Sequence, residues 1–210
     1  MSSSTQHARS ASPRSATKRT STRLARRKAE REPVAAASVK TPLGKIWILA
    51  TESGLREIRL ADQGRPTRPE MDARGWKLVR KKKWTDPVRR ILERYLQGRE
   101  QRLEIELDLA IGTPFQRRVW DAARRIPYGA VVSYAELASM AGGSGAQRAV
   151  GNALGANPVP IVVPCHRIIH ADQSIGGFSS GLRWKRHLLT IERGQLELTW
   201  TKPRRSLFGR

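Results

Sequence analysis

The chain has 210 residues, and its 40 lysines and arginines against 18 acidic residues give a formal net charge of +22. Such a charge attracts polyanions, so nucleic acid is the first partner to consider, with a merely arginine-rich composition as the alternative. The sequence contains no run of about 18 uninterrupted apolar residues, which excludes a membrane span. A single cysteine, Cys165, excludes an internal disulfide framework and a zinc site built on several thiolates.

The first 35 residues differ in composition from the rest of the chain. They carry nine basic residues against Glu30 and Glu32, a net charge of +7, and almost no large apolar side chains. Such a segment cannot bury enough surface to offset its ordering entropy, so a disordered basic tail is predicted over 1–35. A DNA-tethering arm is favoured over an organelle transit peptide, because the body that follows is also basic. A second basic tail is predicted over 197–210.

A small α/β domain is predicted over 36–110. The apolar runs 46–49 and 55–60, separated by Ser53-Gly54, predict a pair of strands. The segment 86–97 has helical apolar spacing, with Pro87 at the predicted helix start and Gly98 as the stop. Leucine and isoleucine alternate with polar residues over 103–109, which predicts one more half-buried strand. Nothing in this domain indicates chemistry, so we interpret it as a scaffold.

The second half, 111–196, shows three helix-start signals. Thr113-Pro114-Phe115-Gln116, Ser133-Tyr134-Ala135-Glu136 and Ser144-Gly145-Ala146-Gln147 each have the form of a capping box. The predicted helices end near Ile126, Met140 and Gly155. The last two are joined by a glycine turn, which makes them a candidate helix-turn-helix. The predicted fold class is therefore α+β, with a small N-terminal α/β domain and a mainly helical C-terminal domain.

The third of these helices is rich in alanine and glycine, and Arg148 is its one long charged side chain in the middle. Its backbone can approach a partner closely, but it has too few long polar side chains to read base edges. It therefore fits a wedge that binds DNA without sequence preference, through the minor groove. The alternative is a pair of core helices with Arg148 as a solvated charge.

The cysteine lies in the run Pro164-Cys165-His166-Arg167, with His170 shortly after it. A lone cysteine is more often an inert buried side chain. Here proline fixes the approach of the chain, and cationic neighbours favour thiolate over thiol. The sequence therefore predicts a reactive Cys165 with a lowered pKa.

This cysteine motif occurs together with GTPFQRRVW (112–120), IPYGAVVSY (126–134), QRAVGNALGANPVPIVVP (147–164) and GGFSSGL (176–182). In order and spacing the combination resembles the O6-alkylguanine-DNA alkyltransferase family, also called methylated-DNA-protein-cysteine methyltransferases. The resemblance is close over about 112–193, is only general over 39–110, and does not extend to 1–35.

The resemblance implies a direct-reversal repair protein in which Cys165 accepts the alkyl group from guanine O6 in double-stranded DNA, and O4-alkylthymine is implied as a second substrate. His166 would relay a proton, through a water, from the thiol towards Glu192. Tyr134 would lend a proton to the purine, and Asn157 would brace the turn before the cysteine. No step would regenerate the thiol, so each molecule would act once.

The resemblance also implies a base-binding pocket and a DNA-binding surface. The Ser179 backbone N–H would bond O6, the Cys165 and Ile168 carbonyls would accept from the exocyclic amine, and Phe178 would pack on the purine. Pro160 is expected in the same pocket. The residues expected to contact DNA are Arg148, which would fill the gap left by a flipped nucleotide, and Gln147, Ala149, Gly151 and Arg167.

No cofactor is expected, and His7, His166, His170 and His187 with one cysteine form no metal-ligand set. We expect a monomer without a membrane role, cytoplasmic and nucleoid-associated in a bacterium or nuclear in a eukaryote. Two other functions compete. A cysteine hydrolase would need dyad geometry, which adjacent residues such as Cys165 and His166 rarely achieve, and an oxyanion-hole motif. A noncatalytic lesion-sensing module would lack the acceptor cysteine.

Overall fold

A computed structural model of the protein describes residues 31–109 and 111–193. Its N-terminal part contains strands β1 (Glu32–Thr41), β2 (Gly44–Thr51), β3 (Gly54–Arg59) and β4 (Trp76–Val79), and helices α1 (Arg68–Ala73) and α2 (Lys82–Leu96). The predicted tails over 1–30 and 197–210 lie outside the described residues. The predicted N-terminal tail extended too far, because Glu32 to Ala35 belong to β1, where Val34 and Ala35 are buried.

The four strands form one sheet in the order β3-β2-β1-β4. The predicted pair is confirmed as β2 and β3, which run antiparallel, and β1 pairs antiparallel with β2 and parallel with β4. The tight turn between β1 and β2 places Gly44 at φ 109°, a conformation that glycine adopts without steric cost. Two strands were not predicted, β1, which contains three consecutive alanines, and the short β4.

Helix α2 packs against this sheet through Val88, Leu92 and Tyr95, which are all buried. It begins at Lys82 rather than at Asp86, so the prediction that Pro87 marks the helix start was wrong. The apolar face continues upstream to the buried Thr85, which extends the helix by one turn. Pro87 lies inside the helix, where its missing N–H removes the hydrogen bond to the carbonyl of Lys83 one turn earlier.

The prediction of a regular strand over 103–109 was also wrong. This segment makes a single parallel bridge, between Leu55 and Leu107, with hydrogen bonds from Leu55 N to Glu106 O (2.8 Å) and from Asp108 N to Leu55 O (2.9 Å). The alternating pattern correctly indicated that the segment is extended and half-buried. Pairing stops there because the segment meets only the beginning of β3.

The C-terminal part contains helices α3 (Pro114–Arg124), α4 (Tyr134–Met140), α5 (Gln147–Gly155) and α6 (Leu182–Arg193), and the short strands β5 (Val132–Ser133) and β6 (Ile168–Ile169). The capping boxes at Thr113 and Ser133 are confirmed, with reciprocal side-chain and backbone hydrogen bonds. The third was wrong, because α5 starts after Ala146 and has no side-chain cap. Gly145 at φ 81° turns the chain between Ser144 and the helix.

Helices α3, α4 and α5 pack on one another, and the Trp120 indole donates to Ala153 O at 2.8 Å. The two parts of the chain share one hydrophobic core and are joined by a hydrogen bond from Ile58 N to Pro158 O (2.8 Å). Within 31–109 and 111–193, no helix is long and apolar enough to cross a membrane. The architecture is therefore a mixed α/β chain with an N-terminal sheet domain and a mainly helical C-terminal domain.

Candidate active site

Cys165 begins a single 3-10 turn, Cys165–Arg167, that follows Pro164 and leads into β6. Its side chain lies in the core, and the whole residue is 6% exposed. The Asn157 side chain holds the segment that leads into this turn. Its amide nitrogen donates to Val163 O at 3.0 Å and lies 3.3 Å from the Cys165 sulfur, and its oxygen accepts from Val159 N at 3.0 Å. Asn157 therefore connects the segment before the turn to the cysteine itself.

Burial raises the pKa of the Cys165 thiol to about 11, and the Asn157 hydrogen bond and the Lys185 charge offset this only in part. The prediction of a lowered pKa from cationic neighbours was therefore wrong. Arg167, a cationic neighbour in the sequence, is paired with the carboxylate of Glu192. His166 is buried, and burial lowers its pKa. The resting sulfur is a thiol, and a base must take its proton as the sulfur reacts.

The imidazole of His166 is completely buried, and its Nε2 lies 2.8 Å from Glu192 Oε1 on α6. The carboxylate can only accept, so Nε2 carries the proton and donates it. The other ring nitrogen, Nδ1, is then an unprotonated acceptor, and it is buried with no hydrogen-bond partner among the described residues. Burial lowers the pKa of His166, so a neutral imidazole with a free basic nitrogen adjoins Cys165 in the chain.

Glu192 is the most heavily bonded side chain of the site. Arg167 donates to it from Nε (2.9 Å to Oε2) and from a terminal nitrogen (2.7 Å to Oε1), and Gly129 N donates to Oε2 at 3.1 Å. Burial alone would raise the pKa of Glu192, but the hydrogen bonds from His166 and Arg167 outweigh it and hold this pKa well below its usual range. Glu192 is therefore a fixed carboxylate that orients the imidazole.

The prediction that Arg167 contacts DNA was wrong. Its side chain is 7% exposed, and its remaining terminal nitrogen donates to Ile126 O at 2.6 Å. The guanidinium is thus held inside the protein by a carboxylate and a backbone carbonyl, and a phosphate could reach it only by breaking a buried ion pair.

Two buried polar side chains of the site were missed. The Tyr95 hydroxyl, from α2 of the N-terminal domain, donates to Glu192 Oε1 at 2.6 Å and lies 3.3 Å from His166 Nε2. Lys185 of α6 donates to Ile168 O at 2.5 Å and to Gly177 O at 3.3 Å, and burial lowers its pKa to about 8. Lys185 could have been found from the sequence, because it shares with Glu192 the helical spacing of the buried leucines of α6. Tyr95 gave no signal, because its ring fits the apolar face of α2.

Tyr134 begins α4 and stacks at a tilt on His170, with ring centroids 5.4 Å apart. Burial, and then a negative charge at Cys165, raise the pKa of Tyr134. A groove of about 530 Å³ lies between this aromatic pair and α5, where Arg148 and Gly151 line it. Tyr134 therefore lines the groove and is close enough to Cys165 to feel its charge.

The other side chains expected at the base-binding pocket lie around the cysteine turn and the loop before α6. Ile168 and Pro160 are buried, Phe178 is half-buried against the core, and Ser179 is exposed. The loop passes close to Tyr134, since a Cβ on Gly176 would lie 3.2 Å from that ring. The Ile168 carbonyl already accepts from Lys185, which leaves one lone pair for a ligand.

Helix α5 exposes three consecutive residues expected to contact DNA, Gln147, Arg148 and Ala149, and half-buries Gly151. Arg148 forms no ion pair among the described residues, so its charge is available to a partner.

Within 31–109 and 111–193, no group of three or more histidine, cysteine, aspartate or glutamate side chains could hold a metal ion. A buried thiol beside a histidine–carboxylate pair, below a small-faced helix with one free arginine, defines a cysteine-dependent group-transfer protein.

Comparison with known proteins identifies the family. Residues 34–109 match the ribonuclease-like domain of 6-O-methylguanine DNA methyltransferase, and residues 114–194 match its DNA binding domain. A methylated-DNA–protein-cysteine methyltransferase of Mycolicibacterium paratuberculosis is 41% identical over 74% of this chain and 90% of its own. A protein of the same name from Methanosarcina barkeri is 37% identical over 75% and 96%.

The fold agrees with these sequence matches. The crystal structure of Mycobacterium tuberculosis OGT in complex with DNA has a TM-score of 0.66 and 36% identity, and covers 76% of this chain and 93% of that one. The chain therefore belongs to the 6-O-methylguanine DNA methyltransferase family, whose members are methylated-DNA–protein-cysteine methyltransferases.

Proposed function

We propose that this protein repairs O6-alkylguanine in double-stranded DNA by transferring the alkyl group to Cys165, once per molecule. The observation that carries the proposal is the buried Cys165 next to the His166–Glu192 pair, because it gives the only cysteine of the sequence a neighbouring base that a fixed carboxylate orients. The family membership and the relative solved with DNA support the same substrate class.

The thiol loses its proton to His166 through a bridging water. Nδ1 is the receiving atom, since Nε2–H is already directed at Glu192. The imidazolium that forms is stabilised by the carboxylate, which offsets the cost of placing a charge in a buried site. With a thiol pKa of about 11, the thiolate is scarce at neutral pH, so the thiol needs His166 as a base.

The displacement is balanced at the purine. The sulfur–carbon bond forms as the bond from O6 to the same carbon breaks, and the electron pair passes to the guanine ring. Tyr134 lends its proton to the purine as this charge develops, and the proton taken from the thiol restores the tyrosine. The product is a thioether, and the sequence offers no second cysteine to cleave it, so the protein is consumed.

Guanine is identified by backbone groups around the cysteine turn. The Ser179 N–H bonds O6, and the Cys165 and Ile168 carbonyls accept from the exocyclic amine. Phe178 and Pro160 complete the pocket for the flat ring. The position of Lys185 on the Ile168 carbonyl supports this role, because it fixes the direction in which the free lone pair of that oxygen points.

Helices α4 and α5 bind the DNA as a helix-turn-helix. The thiol is buried, so the target nucleotide has to leave the base stack, which costs a few kcal/mol. Arg148 enters the space that the nucleotide leaves, and Gln147, Ala149 and Gly151 let the α5 backbone lie close to the minor groove. The alanine-rich surface supports shape-based binding without sequence preference.

The proposal is tested by incubating the full chain with duplex DNA containing O6-methylguanine and mapping the protein by mass spectrometry. We expect one added methyl group on the Cys165 peptide and repaired guanine that stops at one equivalent of protein. Cys165→Ala is expected to retain DNA binding and transfer nothing. Repair beyond one equivalent, or a methyl group on any other residue, would contradict the proposed mechanism.

A further inference from the structure

Tyr95 connects the N-terminal domain to the candidate active site. The Tyr95 ring belongs to α2 and is completely buried in the core. It packs edge-on against the Tyr128 ring, with ring centroids 6.1 Å apart. Its hydroxyl donates a hydrogen bond to the carboxylate of Glu192, which lies 97 positions later in the chain. A phenylalanine would fill the same apolar space, so packing alone does not account for the hydroxyl.

Tyr95, His166 and Arg167 converge on Oε1 of Glu192, to which Arg167 donates at 2.7 Å. The Tyr95 hydroxyl lies 2.6 Å from Glu192 Oε1, His166 Nε2 lies 2.8 Å from the same oxygen, and the hydroxyl and Nε2 are 3.3 Å apart. The tyrosine has one proton and the carboxylate has none, so the short contact is a donation from Tyr95 to Glu192. Both Tyr95 and His166 therefore donate to one carboxylate oxygen.

This donor does not change its protonation state in the pH range where the site operates. Burial, and then the charge of Glu192, raise the pKa of Tyr95 well above its ordinary value. The hydroxyl thus remains a fixed neutral donor, and a hydrogen bond from such a donor to a buried charge is among the stronger ones in proteins.

We propose that Tyr95 is a positioning residue for the alkyl transfer, acting on His166 through Glu192. Its hydrogen bond keeps Oε1 directed at Nε2, which maintains the tautomer with a free Nδ1. It also withdraws electron density from the carboxylate, so that Glu192 attracts the imidazole proton less strongly. The N-terminal domain thereby contributes one hydroxyl to the proton path. This inference rests on the proposed function, because it assigns His166 the role of base.

The test compares Tyr95→Phe with Tyr128→Phe in the full chain. The Tyr128 hydroxyl donates to Ile191 O at 3.0 Å, next to Glu192, so both substitutions delete one hydroxyl bonded to the same turn of α6. Only the first removes a donor from the carboxylate. The measurements are the single-turnover rate of methyl transfer from duplex DNA against pH, and the tautomer and pKa of His166 by nitrogen-15 NMR.

Without the Tyr95 hydroxyl, Glu192 becomes more basic and favours protonated His166, so the pKa of the imidazole rises. We expect Tyr95→Phe to lower the rate about tenfold at neutral pH, which corresponds to about 1.4 kcal/mol, and to shift the acidic limb of the pH profile to higher pH. Tyr128→Phe is expected to leave the pKa of His166 and the acidic limb unchanged.

A wild-type rate and acidic limb in Tyr95→Phe would overturn the inference and leave the proposed function standing, since Cys165 would still be methylated. Failure of the unaltered chain to become methylated would instead overturn the proposed function. Should Tyr95→Phe not fold, the NMR of the unaltered protein decides, because a resting His166 protonated on Nδ1 contradicts the role given to Tyr95.

Discussion

The acceptor cysteine combines a high pKa with a position next to a base. Burial raises the pKa of Cys165 to about 11, while the neutral imidazole of His166 has a lowered pKa for the same reason. Both groups are therefore uncharged at rest, and the buried charges that act on them are Lys185 and the paired Arg167 and Glu192. A thiol with a raised pKa resists oxidation and alkylation, because reactivity follows the thiolate.

The reaction of Cys165 with a small neutral alkylating reagent tests this state. Since Cys165 is the only cysteine in the sequence, the rate reports on it alone. We expect the rate of the native protein to rise about tenfold per pH unit from pH 7 to about 10, without a plateau. The protein unfolded in denaturant is the control, and there the rate should level off near pH 8.5. A plateau near pH 8.5 in the native protein would contradict the raised pKa.

Helix α5 shows how an element of ordinary stability can serve a surface function. It buries Val150, Ala153 and Leu154 against its neighbours, and it exposes the other side, which carries Gln147 and Arg148. Its N-cap, Ala146, makes no side-chain hydrogen bond, unlike those of α3 and α4, so the first-turn N–H groups of α5 have no side-chain partner. Those donors lie in the same first turn of α5 as the exposed Arg148, which suits contact with phosphate groups.

Substituting Arg148 by alanine separates insertion into the duplex from chemistry. Because extruding a nucleotide costs a few kcal/mol and Arg148 offsets part of it, we expect repair of double-stranded DNA to slow roughly 10- to 100-fold. The reaction with the free modified base should be unchanged. Arg186→Ala, which removes an exposed arginine of α6, is the matched control and should change neither rate. Equal losses on the duplex and the free base would remove the insertion role.

The whole molecule is organised around Glu192, because its carboxylate joins three distant parts of the chain. It bonds Tyr95 of the N-terminal domain, Gly129 after α3, and His166 and Arg167 of the cysteine turn. The core is also continuous across the two domains. The buried charge network therefore links the two domains and holds the His166 imidazole in place.

Replacing Glu192 by glutamine leaves the buried guanidinium of Arg167 without its counter-charge. We expect the free energy of unfolding to fall by about 3–5 kcal/mol at pH 7, as measured by denaturant titration. Because the folded protein holds the pKa of Glu192 low, its contribution is present above the ordinary carboxylate pKa and is lost as the pH falls. The difference in free energy of unfolding between the unaltered protein and Glu192→Gln should therefore become smaller in acid. Glu104→Gln, at an exposed site, is the control and should cost little; a similar loss there would argue against a special role for Glu192.

Elements with strong local signals were predictable. The reciprocal caps at Thr113 and Ser133 and the pair β2 and β3 follow from residues close together in the chain. The start of α2 was misjudged because Pro87 is a strong local signal that a buried Thr85 overrides. The alternation over 103–109 indicated burial correctly but not pairing, since pairing depends on which edge the segment meets.

The sequence by itself determined that the protein has one candidate nucleophile, a basic surface suited to DNA, and a motif that assigns it to a family of alkyl acceptors. Tertiary structure alone decided the charge states. Burial set the thiol pKa, turned Arg167 from a surface cation into the partner of Glu192, and brought Tyr95 across the domain boundary. The physical reason is that desolvation and long-range hydrogen bonds depend on which atoms exclude water from which, and spacing along a chain does not contain that information.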